Sequence, residues 1–133
     1  MVIDTSAVLA ILRDEPERRQ FNRAIAADNT RLMSVASFVE ASIVIQARHG
    51  DEGVRDLGLF LARAEIEFIP VGVNQAHIAR QAFQHYGKGR HPAALNFGDC
   101  FTYALAKTTE EPLLFKGNDF ALTDLVAVSR PDE

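Results

Sequence analysis

The chain has 133 residues, of which 47% are hydrophobic and 24% are charged, and its formal net charge is −4. This composition is typical of a folded globular protein, and the length favours a single domain, which we expect to span residues 1–133. The negative charge argues against a protein that coats nucleic acid, and the single cysteine, Cys100, excludes an internal disulfide and a C-x-x-C metal motif.

The N-terminal segment lacks the basic region of a signal peptide, and Asp4 interrupts its apolar run. No apolar segment approaches the roughly 20 residues that a membrane span needs. We therefore expect a cytoplasmic protein without a membrane segment.

The predicted elements begin with a strand at residues 1–4, which are mostly apolar, followed by a helix at residues 5–13. Pro16 suits the first turn of a second helix that ends near Ala27. A third helix covers residues 35–50, where Gly50 provides a stop signal.

A fourth helix is predicted for residues 51–64, and the segment EFIPV reads as a strand. Asn74 can cap the next helix, which ends at Tyr86 before Gly87. The loop 87–98 then leads into the helix that contains the segment GDCFTYALA.

Two further strands are predicted, in the segments PLLFKG and LVAVS. Strands that alternate with helices require crossover connections, which favour a mainly parallel sheet with helices on both faces. The sequence therefore predicts a three-layer α/β/α fold. In such sheets, ligands bind outside the carboxyl ends of the strands.

Three acidic residues stand where this rule places a ligand. Asp4 and Asp119 each follow a predicted strand, and Asp99 stands at the start of a helix. Each also has a purely structural explanation, because Asp4 and Asp99 can cap helices and Asp119 suits a turn.

Glu40 is the fourth acid of interest. Its helical neighbours are mainly apolar and small, which predicts that it lies on the inward face of its helix: Ala36, Ser37, Ile43 and Val44. A buried carboxylate must be paired, neutralised or bound to a cation, and no Lys or Arg lies one turn away.

If the sheet is parallel, all four acids can converge at one edge. Carboxylates that close together repel one another, and a divalent cation removes the conflict. An oxygen-only ligand set favours Mg²⁺, with Mn²⁺ as the alternative. We expect Asp4 and Asp99 to bind the ion directly, and Glu40 and Asp119 to act through water.

Four motifs in chain order now carry a family resemblance: VIDTSA, S-x-x-E ending at Glu40, GDCFTYALA and LLFKGNDF. Together they resemble a PIN domain, and more narrowly a VapC-type toxin of a type II toxin–antitoxin pair. The family's acids fall on Asp4, Glu40, Asp99 and Asp119.

The resemblance implies a Mg²⁺-dependent endoribonuclease that cleaves structured RNA, with transfer RNA as the first candidate. It also implies a cognate antitoxin and a homodimer. The hydroxyl residues after the first acid, Thr5 and Ser6, match the family as well and would support the site.

The loop before Asp99 carries Lys88 and Arg90, which we interpret as a guide for RNA phosphates. Cys100 has no histidine in its own motif that could activate it as a nucleophile, so we interpret it as a core residue.

Three alternatives remain at the level of sequence. The main one is a degenerate PIN domain that binds a partner without nuclease activity. A haloacid-dehalogenase-type phosphatase would need Asp-x-Asp where this chain has Ser6. A response-regulator receiver domain would need an acid pair after the first strand, and Glu40 within a helix does not suit that plan.

Overall fold

The computed structural model describes residues 1–129, and in this range it contains four short strands and five α-helices. The strands are β1 (Val2–Ile3), β2 (Leu32–Ser34), β3 (Glu67–Ile69) and β4 (Leu113–Leu114). The helices are α1 (Thr5–Leu12), α2 (Arg18–Ala27), α3 (Val35–Arg63), α4 (Val73–Tyr86) and α5 (Phe97–Thr109). A short 3₁₀ turn follows at Phe120–Leu122. None of the helices in this range is long and apolar enough to cross a membrane.

The strands form one sheet in the order β3-β2-β1-β4, and each of these strand pairs is parallel. Val2 of the central strand β1 is in register with Leu32 on one side and with Leu113 on the other. All four strands therefore direct their carboxyl ends to the same edge of the sheet.

Two separate hydrophobic clusters cover the two faces of this sheet. Ile3, Met33 and Leu114 pack with residues of α1, α2 and α3. Val2, Leu32 and Leu113, which precede them in their strands, pack with residues of α4 and α5. Because successive side chains of a strand point to opposite faces, the helices lie in two outer layers. The predicted three-layer α/β/α fold is confirmed.

Three local predictions need correction. The sequence analysis predicts no strand at Leu32–Ser34, where the structure has β2. The predicted strand LVAVS is wrong, because its backbone makes only an isolated bridge from Ala127 to Leu113. Helix α4 begins at Val73, with Gly72 rather than Asn74 at the N-cap position.

Gly50 separates two helical arms within the range of α3. Its φ of 64° and ψ of −157° are non-helical and mark a kink between a helix that begins at Val35 and a helix that ends at Arg63. A positive φ is readily adopted by glycine, which has no Cβ. The prediction that one helix ends at Gly50 and another follows it is therefore confirmed.

Candidate active site

Asp4 follows β1 directly and caps α1, so the backbone fixes its position at the carboxyl edge of the sheet. The residue is only 4% exposed. Its Oδ2 accepts hydrogen bonds from the backbone N of Ser6 at 3.0 Å and from Ser6 Oγ at 2.6 Å. Its Oδ1 accepts one from Thr102 Oγ1 at 2.7 Å. Asp4 therefore caps α1 and also lies at the edge of the sheet where the site is predicted.

The two hydroxyl residues after Asp4 have different contacts. Ser6 Oγ donates to Asp4 and accepts from the backbone N of Lys116 at 3.0 Å, so it connects Asp4 to the segment that follows β4. Thr5 Oγ1 instead donates to the backbone carbonyl of Ser37 at 3.2 Å. Thr5 therefore links α1 to α3, whereas Ser6 contacts Asp4, the candidate metal ligand, directly.

Asp99 lies in the first turn of α5, but the N-cap residue of that helix is Asn96. The two residues form a capping box. Asn96 Oδ1 accepts from the backbone N of Asp99 at 2.9 Å, and Asp99 Oδ2 accepts from the backbone N of Asn96 at 3.0 Å. Asp99 is thus the third helical residue, and the explanation of Asp99 as the N-cap residue itself is corrected, since the N-cap lies three positions earlier.

The pKa of Asp99 is raised to about 7, first by burial of the carboxyl group. The backbone N–H of Asn96 opposes this shift, and the negative charges of Asp4, Asp119 and Glu40 raise the pKa further. Like charges act in this way only at short range. Asp4, Asp119 and Glu40 therefore each lie within electrostatic reach of Asp99, although the four acids come from four separate segments of the chain.

Glu40 is half-buried on α3 and faces the start of α5. A Cβ atom at position 98 would overlap its carboxylate, so Gly98 is what permits this close approach. The expected apolar environment of Glu40 needs correction, because Ile43 is 63% exposed and Val39 is 52% exposed. Glu40 thus borders a face of α3 that is open to solvent, and the helix buries other residues: Ser37, Ala41, Ile45, Leu57 and Leu61.

Asp119 is exposed in the turn between β4 and the 3₁₀ turn. Its side chain makes no capping hydrogen bond there, although its backbone carbonyl accepts from Leu122 at 3.3 Å. The contribution of Asp119 to the site is its charge, which acts on Asp99.

The donor set suits a hard divalent cation. None of the ion pairs described within residues 1–129 involves the four acids, and the Nζ of nearby Lys116 pairs with Glu15 and Glu17 instead. In the same range, no three His, Cys, Asp or Glu side chains converge closely enough to hold one ion together. Mg²⁺ is usually held by one or two carboxylates and several waters, so carboxylate oxygens such as those of Asp4 and Asp99 are the donor type that would suit Mg²⁺.

The basic loop between α4 and α5 is exposed at both predicted positions. The Arg90 guanidinium lies 6.0 Å from the ring centroid of Phe83. The backbone N of Lys88 donates to the carbonyl of Leu95 at 2.9 Å, which ties the two ends of the loop together. Both side chains are therefore available to a ligand on the surface that leads into α5.

Cys100, directly after Asp99, is buried. Burial and the charge of Asp99 raise the pKa of its thiol to about 11, so the thiol is neutral at physiological pH. This environment agrees with the interpretation of Cys100 as a core residue.

Sequence reasoning missed Thr102 and the side chain of Ser37. Thr102 donates to Asp4, and its Oγ1 lies 3.0 Å from Ser37 Oγ. A usable signal was present, because Thr102 lies one helical turn after Asp99 and Ser37 lies one turn before Glu40. A hydroxyl one turn from a candidate ligand, on the same helix face, is a candidate partner for that site.

Comparison with known protein families gives a match to the family described as PIN domain over residues 1–125. The chain belongs to the PIN-domain family. This is the family that the four motifs, taken in chain order, resemble.

Curated relatives place this PIN domain among the VapC proteins. Ribonuclease VapC of Mycolicibacterium smegmatis is 55% identical over 128 residues, covering 96% of this chain and 99% of that protein. Ribonuclease VapC30 of Mycobacterium tuberculosis is 53% identical over 131 residues, covering 98% of this chain and 100% of that protein.

Solved structures show the same fold at low sequence identity. Mycobacterium tuberculosis VapC20, described as a Sarcin-Ricin loop cleaving toxin, has a TM-score of 0.78 at 15% identity and covers 98% of both chains. A toxin–antitoxin complex from Klebsiella pneumoniae has a TM-score of 0.67 at 20% identity, covering 95% of this chain and 94% of that chain.

Proposed function

We propose that this PIN domain is a Mg²⁺-dependent endoribonuclease toxin of a toxin–antitoxin pair, which hydrolyses phosphodiester bonds in RNA. The observation that carries the proposal is the placement of three acids beside one another: Thr102, one turn after Asp99, donates to the buried Asp4, and the Glu40 carboxylate lies against Gly98, which directly precedes Asp99. A set of repelling carboxylates attracts a divalent cation. The names of the two VapC relatives support ribonuclease activity as the reaction.

Each acid has a proposed role that follows from its position. Asp4 and Asp99 hold the cation, with Mn²⁺ as the alternative to Mg²⁺, and Glu40 and Asp119 orient water around it. When bound, the cation would act as a Lewis acid, stabilising negative charge on the phosphate and making a bound water more acidic. Oδ2 of Asp4 accepts two hydrogen bonds and its Oδ1 accepts one, so Oδ1 keeps more acceptor capacity for a cation. The described hydrogen bond to the Asp99 carboxylate ends on Oδ2.

The proposed substrate is a structured RNA in the cytoplasm, with transfer RNA as the first candidate. The structural neighbour described as a Sarcin-Ricin loop cleaving toxin makes ribosomal RNA the next candidate to assay. Lys88 and Arg90 would contact RNA phosphates, since both side chains are exposed on the loop that leads into α5.

The test is an RNA cleavage assay with purified protein, run on transfer RNA and ribosomal RNA with Mg²⁺, with Mn²⁺ and with a chelator. We expect cleavage that depends on the divalent cation. The alternative of a degenerate PIN domain, which only binds a partner, predicts no cleavage of either RNA under any of these conditions.

The antitoxin is the proposed protein partner, and we expect a segment of it to lie across or beside the acidic site. An Arg or Lys of that segment could pair with the carboxylates, which have no basic partner among the described ion pairs of residues 1–129. Co-purification from the native operon tests this. A chain that purifies alone, and whose expression alone is harmless to the host, would contradict the toxin proposal.

We also propose a homodimer through the exposed apolar face of α3. Val39 and Ile43 line a shallow cavity of about 500 Å³, which is mainly apolar. An exposed face of this kind is typical of a protein interface. Sedimentation should give a dimer for the native chain and a monomer for Ile43→Asp, while a native chain that sediments as a monomer would contradict this proposal.

A further inference from the structure

We propose that Thr102 and Ser37 are positioning residues that fix the orientation of the Asp4 carboxylate for cation binding. The inference rests on the proposed function, since it concerns the same site. It assigns a role to two hydroxyl groups that do not themselves contact the cation or the RNA.

The hydrogen bonds run in one direction. Thr102 has one hydroxyl hydrogen, which it donates to Asp4 Oδ1 at 2.7 Å. The contact of 3.0 Å between Ser37 Oγ and Thr102 Oγ1 must then have Ser37 as its donor. The result is a hydrogen-bond chain from Ser37 to Thr102 to Asp4, in which each hydroxyl polarises the next group.

All three residues of this hydrogen-bond chain are buried. Ser37 and Thr102 are each 1% exposed, and Asp4 is 4% exposed. Water therefore has little access to replace a lost hydroxyl. Hydrogen bonds that end on a carboxylate are also stronger than those between neutral groups.

The bonds on the two Asp4 oxygens are unequal, and this determines which oxygen faces a cation. Oδ2 accepts two hydrogen bonds from Ser6, whereas Oδ1 accepts one from Thr102. With these three donors in place, the carboxylate cannot rotate without losing hydrogen bonds. Oδ1 is left with acceptor capacity for a ligand.

The same hydrogen-bond chain connects the segments that carry the other acids. Thr102 lies on α5, one turn after Asp99, and Ser37 lies on α3, one turn before Glu40. A displacement of either helix would lengthen a bond in the chain. Thr102 and Ser37 thus also set the spacing between the segments that carry Asp4, Asp99 and Glu40.

Groups that orient metal ligands in this way typically change metal affinity 10–100-fold when they are removed. Thr102→Val keeps the shape of the side chain and removes the hydroxyl, while Thr102→Ser keeps the hydroxyl and removes a methyl group. Thr108→Val is a matched control on the same helix, because Thr108 Oγ1 bonds only to carbonyls of α5 itself, those of Ala104 and Leu105.

The experiment measures Mn²⁺ binding to the full chain without RNA, by electron paramagnetic resonance of the free ion. We expect Thr102→Val to weaken Mn²⁺ binding about tenfold or more. Thr102→Ser and Thr108→Val should each change Mn²⁺ affinity by less than about tenfold, below the range expected when an orienting group is lost.

Native Mn²⁺ affinity in Thr102→Val would overturn the inference, and so would an equal loss in Thr102→Ser, because the hydroxyl would then not be the cause. If Thr102→Val does not fold, Ser37→Ala removes the first donor of the chain, and native affinity in that variant would also overturn it. Failure of the proposed function has a different signature, namely a native chain that binds no Mn²⁺ and cleaves no RNA.

Discussion

At the scale of single residues, Asp99 shows that a structural role and a proposed catalytic role need not compete. One oxygen of its carboxylate completes a capping box with Asn96, which stabilises the start of α5. The same carboxyl group has its pKa raised to about 7, by burial first and then also by the neighbouring acids. The hydrogen bond from the backbone N of Asn96 favours the ionised form of Asp99. It therefore offsets part of the cost of placing this negative charge in a buried position near other acids.

This raised pKa predicts how stability depends on pH without metal. Because the folded state binds the Asp99 proton more tightly than the unfolded state, this group stabilises the fold below pH 4, and the contribution is lost as pH rises to about 7. Asp99→Asn has no such loss, and its side-chain oxygen can still accept from Asn96. We expect the variant to be more stable than the native chain at pH 8, by about 1–3 kcal/mol, and the difference to shrink towards pH 5.

Thermal melting in the presence of a chelator measures this difference. Asp124→Asn serves as a control with the opposite sign. Partial burial would raise the pKa of Asp124, but hydrogen bonds from Lys107 and Tyr103 outweigh it and hold the pKa below its usual value. Asp124→Asn should therefore be less stable than the native chain at pH 8, and this loss should fade as pH falls below 4. An Asp99→Asn variant that melts below the native chain at pH 8 would contradict the described crowding of acids.

At the scale of elements, the approach of α5 to α3 depends on Gly98. Gly98→Ala replaces a poor helix former by the best one, which by propensity alone would stabilise α5 by up to about 1 kcal/mol. Here the new Cβ would overlap the Glu40 carboxylate. Because the overlapping atoms are the end of a flexible side chain, we expect Gly98→Ala to displace the Glu40 carboxylate and reduce RNA cleavage at little cost in stability. The cleavage assay and denaturant unfolding measure the two effects.

Gly58→Ala is the matched control for this prediction. Gly58 also lies in a helix, and a Cβ built there meets no heavy atom within 4 Å. That substitution should leave cleavage unchanged and raise stability by up to about 1 kcal/mol. A Gly98→Ala protein as active as Gly58→Ala would show that the site does not need the close contact between α5 and Glu40.

The elements also show which parts of the fold could be predicted from the sequence. Alternating strands and helices predict the parallel sheet, and strand ends predict the location of Asp4. The strand β2 is only three residues long and runs directly into α3 at Ser34, so its pattern merges with that of the helix. The segment LVAVS has strong strand character, but its neighbour β4 spans only two residues and offers little backbone to pair with.

The site was predictable to a similar extent. The sequence predicts Asp4, Glu40, Asp99 and Asp119 as candidates, because acids after strands, at a helix start or among apolar residues of a helix stand out from the pattern around them. The spacing of Thr102, one helical turn after Asp99, marks it as a candidate for the site, but its partner could not be predicted, since Asp4 lies 98 residues away in the sequence. The exposure of Ile43 and Val39 was also hidden, because an apolar helix face looks the same whether it covers a core or remains on the surface.

At the scale of the whole molecule, a chain of net charge −4 must attract an RNA substrate through local positive charge. Lys88 and Arg90 are exposed on the loop before α5 and are the proposed contacts. The double variant Lys88→Glu and Arg90→Glu should raise KM for RNA about tenfold with a smaller effect on kcat, because phosphate contacts contribute mainly to binding.

The control for this prediction keeps the same change in net charge. Arg19→Glu and Arg55→Glu reverse two exposed arginines on α2 and α3. Steady-state cleavage at two salt concentrations separates local from global effects. Equal losses in the two double variants would mean that net charge, and not the loop, controls RNA binding.

The expectation of a single domain over residues 1–133 stays a prediction, because residues 130–133 lie outside the described part of the chain. The match to the PIN-domain family ends at residue 125 and already includes all four acids. The proposed chemistry therefore depends on the PIN domain alone.

The most direct test of the account compares RNA cleavage by the native chain and by Asp99→Asn, with Mg²⁺ and with a chelator, alongside melting of both proteins without metal. We expect the native chain to cleave only with Mg²⁺. Asp99→Asn should lose most of this activity while melting at or above the native temperature at pH 8. Cleavage retained by Asp99→Asn would contradict the account and leave Asp99 with the capping role alone.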